Sequence, residues 1–378
     1  MSEQIKLAFD ATATPQELTG AGYYVHEILK ELDTRENIDL SIITRKNDVD
    51  RFRTVAPKAR VLDIAPISKA GRIAFQTFKL GPLIDSMDFD VFHGPHYQIP
   101  NKLDTPSVVT IHDMTLLTHP DVHTRIKREF FSRVIPSSAK KAKSVITVSQ
   151  HTSDDVDRLI KNHGEIFVAP LGIDNQRFNP TPEPTDLSVL KTRGIKSPYI
   201  GFLGHFEPRK SIPTLIEAFS LISDEFPELR LVLAGGAGWG SSQVREAIVE
   251  SGVATKIVVP GRLAHEEIAP FLRNAKIFVY PSVYEGFGMP VAEAMACGTP
   301  TITTDSSSLR EVAGKGALLF KPLDTKALAE SIKSLLVHDT LYSQMKKKAL
   351  SRANNFSWKT CADTHIEAYK HAEGIASS

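Results

Sequence analysis

The chain alternates short apolar runs with longer stretches of helical periodicity, and this alternation restricts its fold more than any other feature. Several of the runs are apolar throughout, which is typical of strands buried on both faces of a sheet. Helical patterns lie between them, at 22–32, 125–142, 212–223, 243–251, 266–273 and 325–336. The predicted strands are residues 5–9, 40–44, 91–93, 108–112, 144–149, 166–169, 199–203, 230–234, 256–259, 277–280, 300–303 and 317–320.

The strands and helices form two sets of about 170 residues each, the size of an ordinary domain. Regular alternation of strand and helix indicates parallel sheets with helices on both faces. The seam between the sets contains Pro180, Pro182 and Pro184 and is predicted to be a loop or linker. We therefore expect an α/β protein of two doubly wound domains, with its ligands in the loops that follow strands.

Charge and cysteine content exclude several classes of protein. The 378 residues include 45 Lys and Arg against 44 Asp and Glu, a net charge of +1, so binding to duplex nucleic acid is not expected. Two cysteines, Cys297 and Cys361, cannot build a disulfide framework and fit a reduced compartment. No signal-peptide pattern precedes residue 5, so the expected location is the cytoplasm.

The strongest candidate site is YPSVYEGFGMPVAEAMACGTP, residues 280–300. A predicted strand ends at Tyr280, the first residue of this segment. Pro290 then opens a predicted helix. The first turn of a helix has free N–H groups and a positive dipole end, so it binds anions such as phosphate. Glu285 in the loop and Glu293 in the helix offer carboxylates to sugar and ribose hydroxyls. The alternative is one solvated glutamate and one that complements the helix dipole.

A second candidate is GFLGHFEPRKSIPTLIEAF, which begins at Gly201. A predicted strand ends at Gly204, and Arg209 and Lys210 precede the next helix. Two cations at the carboxyl end of a strand suit a diphosphate leaving group. A basic pair on a solvated face is the alternative.

Two weaker signals lie in the first half of the chain. Gly20 and Gly22 stand where the first strand passes into a helix, and a phosphate or sugar fits over such a backbone. His112 ends a predicted strand, where a doubly wound sheet exposes side chains to its ligand. The alternatives are a plain βα turn and a hydrogen-bonded core histidine.

Residues 125–143 carry seven basic residues and a single acidic one, Glu129. Ile126, Phe130 and Val134 are spaced for an apolar stripe along a helix. A basic amphipathic helix suits an anionic membrane or acceptor, and an ordinary surface helix is the alternative.

Metal and dinucleotide motifs are not found in the sequence. His93 and His96 follow a predicted strand, but HExxH and HxxEH spacings are absent. None of the DxD pairs at 48–50, 88–90 and 155–157 ends a predicted strand. The run VLAGGAGWG (232–240) lacks the third glycine of GxGxxG, which argues against a dehydrogenase.

Together these motifs resemble the retaining glycosyltransferases of family 4, of the mannosyltransferase-like group 1 type. The resemblance runs almost end to end, and its specific part is the pair Glu285 and Glu293, an E-x7-E spacing. The segments that carry it are EGFGMPVAEAMACGTP, EPRKSIPTLIEAF, VPGRLAHEEIAPFLRNA (259–275), TVSQHTSDD (147–155) and PLGIDNQRF (170–178).

The resemblance implies a GT-B fold, in which two Rossmann-like domains face a cleft. Residues 1–175 would bind the acceptor, 176–198 would be the linker, and 199–355 would bind the nucleotide sugar. A last helix within 356–378 would cross back to the first domain.

The resemblance also implies the residues of the site. Lys210, Arg209, Glu285 and His112 would be catalytic, the first two stabilising the pyrophosphate. The donor-binding residues it implies are Gly22, Gly204, Arg262, Leu263, Phe287, Gly288, Met289 and Glu293. It implies no cofactor and no metal, because cationic side chains and a helix start take the metal's place.

The implied reaction is hexosyl transfer from a nucleotide-diphosphate sugar, GDP-mannose in particular, to a glycan or lipid-linked sugar. UDP-glucose stays open as donor, and polysaccharide synthesis at the inner face of a membrane is the implied setting. One departure is His205, where many members carry arginine. The alternatives are a sugar-nucleotide epimerase of the same architecture and an inactive nucleotide-sugar-binding module.

Overall fold

A computed structural model describes residues 4–16, 20–119, 125–236, 238 and 240–374, apart from the side chains of 126 and 127. The chain divides into two compact units. The first comprises Met1–Gly172 with Trp358–Ser378, and the second is Ile173–Ser357. Each is built on one parallel sheet, so the predicted two-domain α/β fold is confirmed.

The first unit contains a seven-stranded parallel sheet. Its strands are β1 (Ile5–Asp10), β2 (Ile38–Arg45), β3 (Arg60–Ala65), β4 (Val91–Gly94), β5 (Ser107–Ile111), β6 (Ser144–Thr147) and β7 (Glu165–Val168). They lie in the order β3-β2-β1-β4-β5-β6-β7. The inner strands β4 and β5 are buried along their whole length, which explains their lack of charged residues.

Helices connect these strands. They are α1 (Ala21–Leu32), α2 (Val49–Val55), α3 (Lys69–Ala74), α4 (Leu80–Asp85), α5 (Thr115–Thr118), α6 (Arg125–Lys141), α7 (Gln150–Leu159) and, from the end of the chain, α16 (Trp358–Glu373). A π-helical turn, Phe75–Lys79, joins α3 to α4. Helix α1 begins at Ala21, so Gly22 lies in its first turn and only Gly20, with φ +44°, precedes it.

The second unit contains a six-stranded parallel sheet. Its strands are β8 (Tyr199–Leu203), β9 (Arg230–Ala234), β10 (Ile257–Gly261), β11 (Ile277–Tyr280), β12 (Thr301–Thr304) and β13 (Ala317–Phe320). They lie in the order β10-β9-β8-β11-β12-β13. The helices are α8 (Asp186–Thr192), α9 (Ile212–Ile222), α10 (Ser241–Glu250), α11 (His265–Asn274), α12 (Met289–Ala296), α13 (Ser307–Ala313), α14 (Thr325–Val337) and α15 (Asp339–Ala353).

The strand order reverses once in each unit, between β1 and β4 in the first and between β8 and β11 in the second. The loops on either side of such a reversal turn away from each other and leave a crevice at the carboxyl ends of the strands. The fold therefore points to the loops after β8 and β11 as a ligand site of the second unit.

The segment predicted to be a linker, 176–198, instead belongs to the second unit and contains α8. Arg273 of α11 holds the Asp186 carboxylate with two hydrogen bonds, Nε to Oδ2 at 2.8 Å and Nη2 to Oδ1 at 3.0 Å. Both side chains are almost fully buried. The prolines of this segment suggested a linker, whereas its contact with the distant Arg273 could not be read from the local sequence.

Helix α16 packs on the sheet of the first unit through polar as well as apolar side chains. Five hydrogen bonds form a continuous chain through buried groups. They join Tyr369 Oη to His93 Nδ1 (2.8 Å), His93 Nε2 to Thr110 Oγ1 (2.8 Å), Thr110 Oγ1 to Tyr24 Oη (2.8 Å), Tyr24 Oη to His365 Nε2 (2.7 Å), and His365 Nδ1 to the carbonyl oxygen of Cys361 (2.7 Å).

The carbonyl at one end fixes the direction of every bond in this chain. A carbonyl oxygen only accepts, so His365 donates from Nδ1, and its neutral ring accepts from Tyr24 at Nε2. Tyr24 must then accept from Thr110, and Thr110 from His93 Nε2. Burial lowers the pKa of His365 to about 4 and also lowers that of His93, so both rings are neutral at pH 7.

Every predicted strand is present, with ends within two residues of those expected. The strand that was not predicted, β3, lies at the edge of its sheet and is interrupted by Arg60 and Asp63. An edge strand tolerates charges that a central strand does not, so its pattern is weak. Among the described residues, no helix is both long enough and apolar enough to cross a membrane.

Candidate functional site

The strand reversal of the second unit brings the two strongest sequence motifs together. Strand β8 pairs with β11, and β11 pairs with β12, so the loops after these three strands leave the same edge of the sheet. Lys210 follows β8 and Glu285 follows β11. Residues 75 positions apart in sequence are therefore in direct contact.

The Glu285 carboxylate is the centre of this site. Its Oε1 accepts from Lys210 Nζ at 2.5 Å, from Ser282 Oγ at 2.6 Å and from Tyr280 Oη at 3.2 Å. Arg209 Nη1 lies 2.7 Å from the same oxygen. Because these contacts all use Oε1, they fix the plane and direction of the carboxylate.

The charges of this cluster depend on one another. Burial alone would raise the pKa of Glu285, but the adjacent Arg209 and Lys210 outweigh it and lower the pKa to about 2. Burial lowers the pKa of the Lys210 ammonium, and the Glu285 charge opposes this. Arg209 stays charged, since Glu285 and Glu207 together raise its pKa despite burial. The site thus holds a buried carboxylate with two cations against it.

The two loops are joined through their backbones as well. Residues Pro208–Lys210 form a 3-10 turn, so that both cations precede α9. The carbonyl oxygen of Arg209 accepts from the Val283 amide at 2.8 Å and from Ser282 Oγ at 3.0 Å. The loop with the cations and the loop with the carboxylate therefore form one rigid assembly.

A third element, which we call the hydroxyl clamp, supports the Glu285 loop. It consists of Thr303, Thr304, Ser306, Ser307 and Ser308, at the end of β12 and the start of α13. Four of its hydroxyls donate to loop carbonyls and one accepts from a loop amide. The contacts are Thr303 to Tyr280 O, Thr304 to Ser282 O, Ser306 to Val283 O, Ser308 to Glu285 O and Phe287 O, and the Glu285 amide to Ser307 Oγ.

The start of α12 follows directly on the Glu285 loop. Gly288 has φ +100°, a conformation that favours glycine, and a Cβ there would also require Leu309 Cδ2, 2.5 Å away, to move. Helical hydrogen bonding begins at Met289. Phe287 is buried with its ring against Phe356 at 5.4 Å. The positive end of the α12 dipole therefore lies where the Glu285 loop ends, as an anion site requires.

Glu293 lies one turn further along α12 and is half-buried. Burial raises its pKa to about 7, and the charge of Arg177 offsets only part of that effect. Arg177 itself contacts His265 and lies over the Phe178 ring, 4.6 Å from its centre. Glu293 thus has a different environment from Glu285: it faces one distant cation rather than two close ones.

The glycine-rich loop at 232–240 serves packing rather than dinucleotide binding. The Gly204 amide donates to Ala234 O at 3.0 Å, and a Cβ on Gly235 would lie 1.8 Å from Gly204 O. A Cβ on Gly238 would lie 2.4 Å from Phe206 O. The glycines therefore let two backbones touch; Ala237 and Trp239 lie outside the described residues.

The remaining predicted residues of the second unit follow strand ends. His205 is exposed directly after Gly204, next to Gly236. Arg262 and Leu263 follow β10, and Leu263 is buried. The order of the strands places Arg262 two strands from the β8 loop.

Gly22 and His112 belong to the first unit. His112 follows β5 and is buried, with its Nε2 donating to Pro95 O at 2.8 Å and its ring 4.9 Å from that of Tyr24. Burial lowers the pKa of His112, so the ring is neutral and Nδ1 is left as an acceptor. Of the glycine loop before α1, Glu17–Thr19 lie outside the described residues.

Sequence reasoning found Arg209, Lys210 and Glu285, which the structure brings together, but missed the groups that hold them. Tyr280 and Ser282 bind the carboxylate directly. The hydroxyl clamp holds its backbone. A run of five hydroxyl residues in six positions (303–308), across the end of a buried strand, was the signal in the sequence.

The described residues contain no cluster of His, Cys, Asp and Glu side chains arranged to hold a metal ion. The DxD pair at 88–90 has a structural partner instead. Asp90 Oδ2 accepts from the Lys6 amide at 2.7 Å, and Asp88 pairs with the Lys6 ammonium.

Comparison with known proteins agrees with the sequence motifs. The family model described as glycosyl transferases group 1 matches residues 191–352, and that described as glycosyltransferase family 4 matches residues 18–177. The chain is 29% identical over 385 residues to O-antigen chain mannosyltransferase B of Escherichia coli, covering 97% of this chain and 100% of that one.

Solved structures show the same fold. Sucrose-phosphate synthase from Thermosynechococcus elongatus superposes with a TM-score of 0.75 at 20% identity, over 97% of this chain and 98% of that one. HepE of Anabaena, solved in complex with UDP and glucose, superposes with a TM-score of 0.73 at 17% identity, over 96% and 99%.

The family models and the fold of two parallel α/β units show an enzyme of the GT-B glycosyltransferase class. The family models extend this assignment over both units and agree with the mannosyltransferase relative. The chain belongs to the group 1 and family 4 glycosyltransferases.

Proposed function

We propose that this glycosyltransferase transfers mannose from GDP-mannose to a glycan or lipid-linked sugar, with retention of the anomeric configuration and without a metal ion. The choice of mannose rests on the relative named O-antigen chain mannosyltransferase B, which matches over its full length. The choice of site rests on one observation, the contact of Arg209 and Lys210 with Glu285 beside the start of α12.

In this proposal the diphosphate of the donor binds at the start of α12, within reach of Lys210 and Arg209. Both cations are mostly buried, so a charge placed against them is screened little by water. Negative charge that develops on the departing diphosphate is therefore stabilised by groups that are already in place. This is the role a divalent cation has in metal-dependent transferases.

Glu285 binds the donor sugar. Its Oε1 is held by the protein, so Oε2 accepts from a sugar hydroxyl in a fixed direction. Glu293 accepts hydrogen bonds from the ribose hydroxyls in its ionised form. Burial raises the pKa of Glu293 and so favours the protonated carboxyl, and donor binding displaces this proton.

The acceptor oxygen forms a bond to the anomeric carbon, and the bond from that carbon to the β-phosphate oxygen breaks. The electron pair of the broken bond stays on the phosphate. The proton of the acceptor hydroxyl passes to the departing diphosphate, so no external base is consumed.

The test is a donor panel on the purified full chain. GDP-mannose, UDP-glucose and ADP-glucose are supplied with a synthetic mannoside acceptor, with EDTA or with Mn²⁺, and the anomeric configuration of the product is read by NMR. We expect transfer from GDP-mannose, unaffected by EDTA, to give an α-linked product from the α-linked donor. Activity lost in EDTA and restored by Mn²⁺ would refute metal independence.

The alternatives give different outcomes in the same experiment. An epimerase converts the donor sugar without an acceptor, and an inactive binding module is stabilised thermally by a nucleotide but releases no sugar. Thermal shifts with GDP, UDP and ADP identify the base, since a ligand at 100 times its Kd stabilises by about 2.7 kcal/mol. Preference for UDP would refute GDP-mannose and leave the site assignment unchanged.

We also propose that α6 contacts an anionic membrane that carries the acceptor, at its cytoplasmic face. Ile135 and Ala139 are buried against the first unit, whereas Arg133 and Lys140 are exposed and Phe130 is 37% exposed. Binding to vesicles with and without anionic lipid tests this. Charge reversal of Arg133 and Lys140 should abolish the binding, and reversal of the exposed Lys333 should not.

A further inference from the structure

The Glu285 amide has a partner that is unusual in its backbone conformation. Ser307 has φ +48°, the left-handed region that a side chain other than glycine rarely adopts. Its hydroxyl oxygen accepts from the Glu285 amide at 3.0 Å. Ser307 lies between Ser306 and Ser308, whose hydroxyls donate to carbonyls on either side of that amide, those of Val283, Glu285 and Phe287.

The Ser307 hydroxyl accepts a hydrogen bond from the loop backbone, whereas the hydroxyls of its two neighbours donate. Ser306 and Ser308 satisfy carbonyl groups of the loop, whereas Ser307 supplies the acceptor for the peptide N–H of the residue that carries the carboxylate. The Glu285 side chain starts from the carbon next to that N–H. Fixing the amide therefore fixes the origin of the side chain, and Ser282 and Lys210 fix its far end.

The left-handed backbone conformation costs energy for serine at position 307, and it would not cost this energy for glycine. Glycine at 307 would keep the backbone path and remove the acceptor. The serine is thus explained by its hydroxyl and not by the turn.

We propose that Ser307 is a positioning residue for donor-sugar binding, which acts by holding the Glu285 amide and so the direction in which Oε2 faces the sugar. The inference rests on the proposed role of Glu285 in binding the donor sugar. It adds a residue that does not touch the donor but sets the specificity of the group that does.

Three substitutions at 307 separate the hydroxyl from the backbone. Ser307→Gly removes the acceptor and relieves the left-handed strain, Ser307→Ala removes the acceptor and keeps the strain, and Ser307→Asn keeps a side-chain oxygen in a residue that tolerates this conformation. We expect kcat/KM for the donor to fall about 3- to 10-fold in both the Gly and Ala variants, the usual range for one hydrogen bond. The Asn variant should recover part of the loss.

The stability of the variants should not follow their activity. The Gly variant should melt at or above the wild-type temperature and the Ala variant below it. Leu323→Gly is a matched control, because Leu323 also has φ +66° but is exposed and belongs to the turn after β13 rather than to the hydroxyl clamp. It should raise the melting temperature and leave kcat/KM unchanged. The Kd of GDP, which lacks the donor hexose that Glu285 would bind, should stay within twofold of wild type in all variants.

A double-mutant cycle with Glu285→Gln completes the test. If Ser307 acts through Glu285, Ser307→Ala should add little to the loss in the Glu285→Gln enzyme. Additive losses, or a Gly variant with wild-type kcat/KM, would overturn the positioning role while the function stands. Wild-type transfer by Glu285→Gln itself would overturn the proposed site, and the inference with it.

Discussion

The Lys210 ammonium is the group whose removal tests the proposed chemistry most directly. It is 5% exposed and is held by Glu285 Oε1 and Tyr280 Oη, each at 2.5 Å. We expect Lys210→Ala to lower kcat by about two to three orders of magnitude, since a preorganised donor to a developing negative charge is worth roughly 3–4 kcal/mol in the barrier.

The same substitution has a smaller effect on folding. Glu285 keeps Arg209 and Ser282 as partners, so its charge is not left unpaired. Loss of a hydrogen bond to a charged group costs about 1.5–3 kcal/mol. For a unit of this size that lowers the melting temperature by about 3–12 °C, at ~2–4 °C per kcal/mol. The protein therefore stays folded at 20 °C, where the rate is measured.

The assay is initial-rate transfer from GDP-mannose at saturating donor, with thermal unfolding followed in parallel. Lys333→Ala is the matched control: Lys333 forms an exposed ion pair with Glu225, away from the site. It should retain wild-type turnover. A folded Lys210→Ala enzyme that turns over within about threefold of wild type would show that Lys210 does not stabilise the leaving diphosphate.

Two further predictions concern protons. A carboxyl with a folded pKa of about 7 keeps its proton while the unfolded chain loses it near pH 4.5, so Glu293 makes the protein less stable as pH rises between these values. In urea unfolding, Glu293→Gln should therefore be more stable than wild type by up to about 3 kcal/mol at pH 8. This difference in unfolding free energy should vanish near pH 4. A difference that does not depend on pH would contradict the raised pKa of Glu293. Nitrogen-15 NMR at pH 7 should find the ring proton of His93 on Nε2 and that of His365 on Nδ1, and a His365 protonated at Nε2 would contradict the direction of the hydrogen-bond chain.

The sequence predicted the central strands well because their physical signal is local. A strand such as β11, Ile277–Tyr280, is buried on both faces and reads as an apolar run. The edge strand β3 and the helix α8 could not be read in this way, since one is interrupted by charges and the other is held by the distant Arg273. Local patterns do not contain such partners.

The same distinction explains what could be predicted of the site. Lys210 and Glu285 lie in the segments that follow predicted strands, and parallel topology places such segments at one edge. Four groups contact one oxygen of Glu285 because of the directions of their side chains, and sequence spacing does not determine those directions. Ser307 could not be identified because its role depends on a backbone angle.

Helix α16 has a consequence for the order in which the protein is made. The second unit is continuous in the sequence, whereas the first needs α16, which follows the second unit in the sequence, to cover its sheet and complete the hydrogen bonds of Tyr24 and His93. On the ribosome, where about 5–20 residues are added each second, the segment made first must wait roughly 10–40 s for its final helix. The second unit can finish folding during that interval, so the part of the protein that begins first is the part that is completed last.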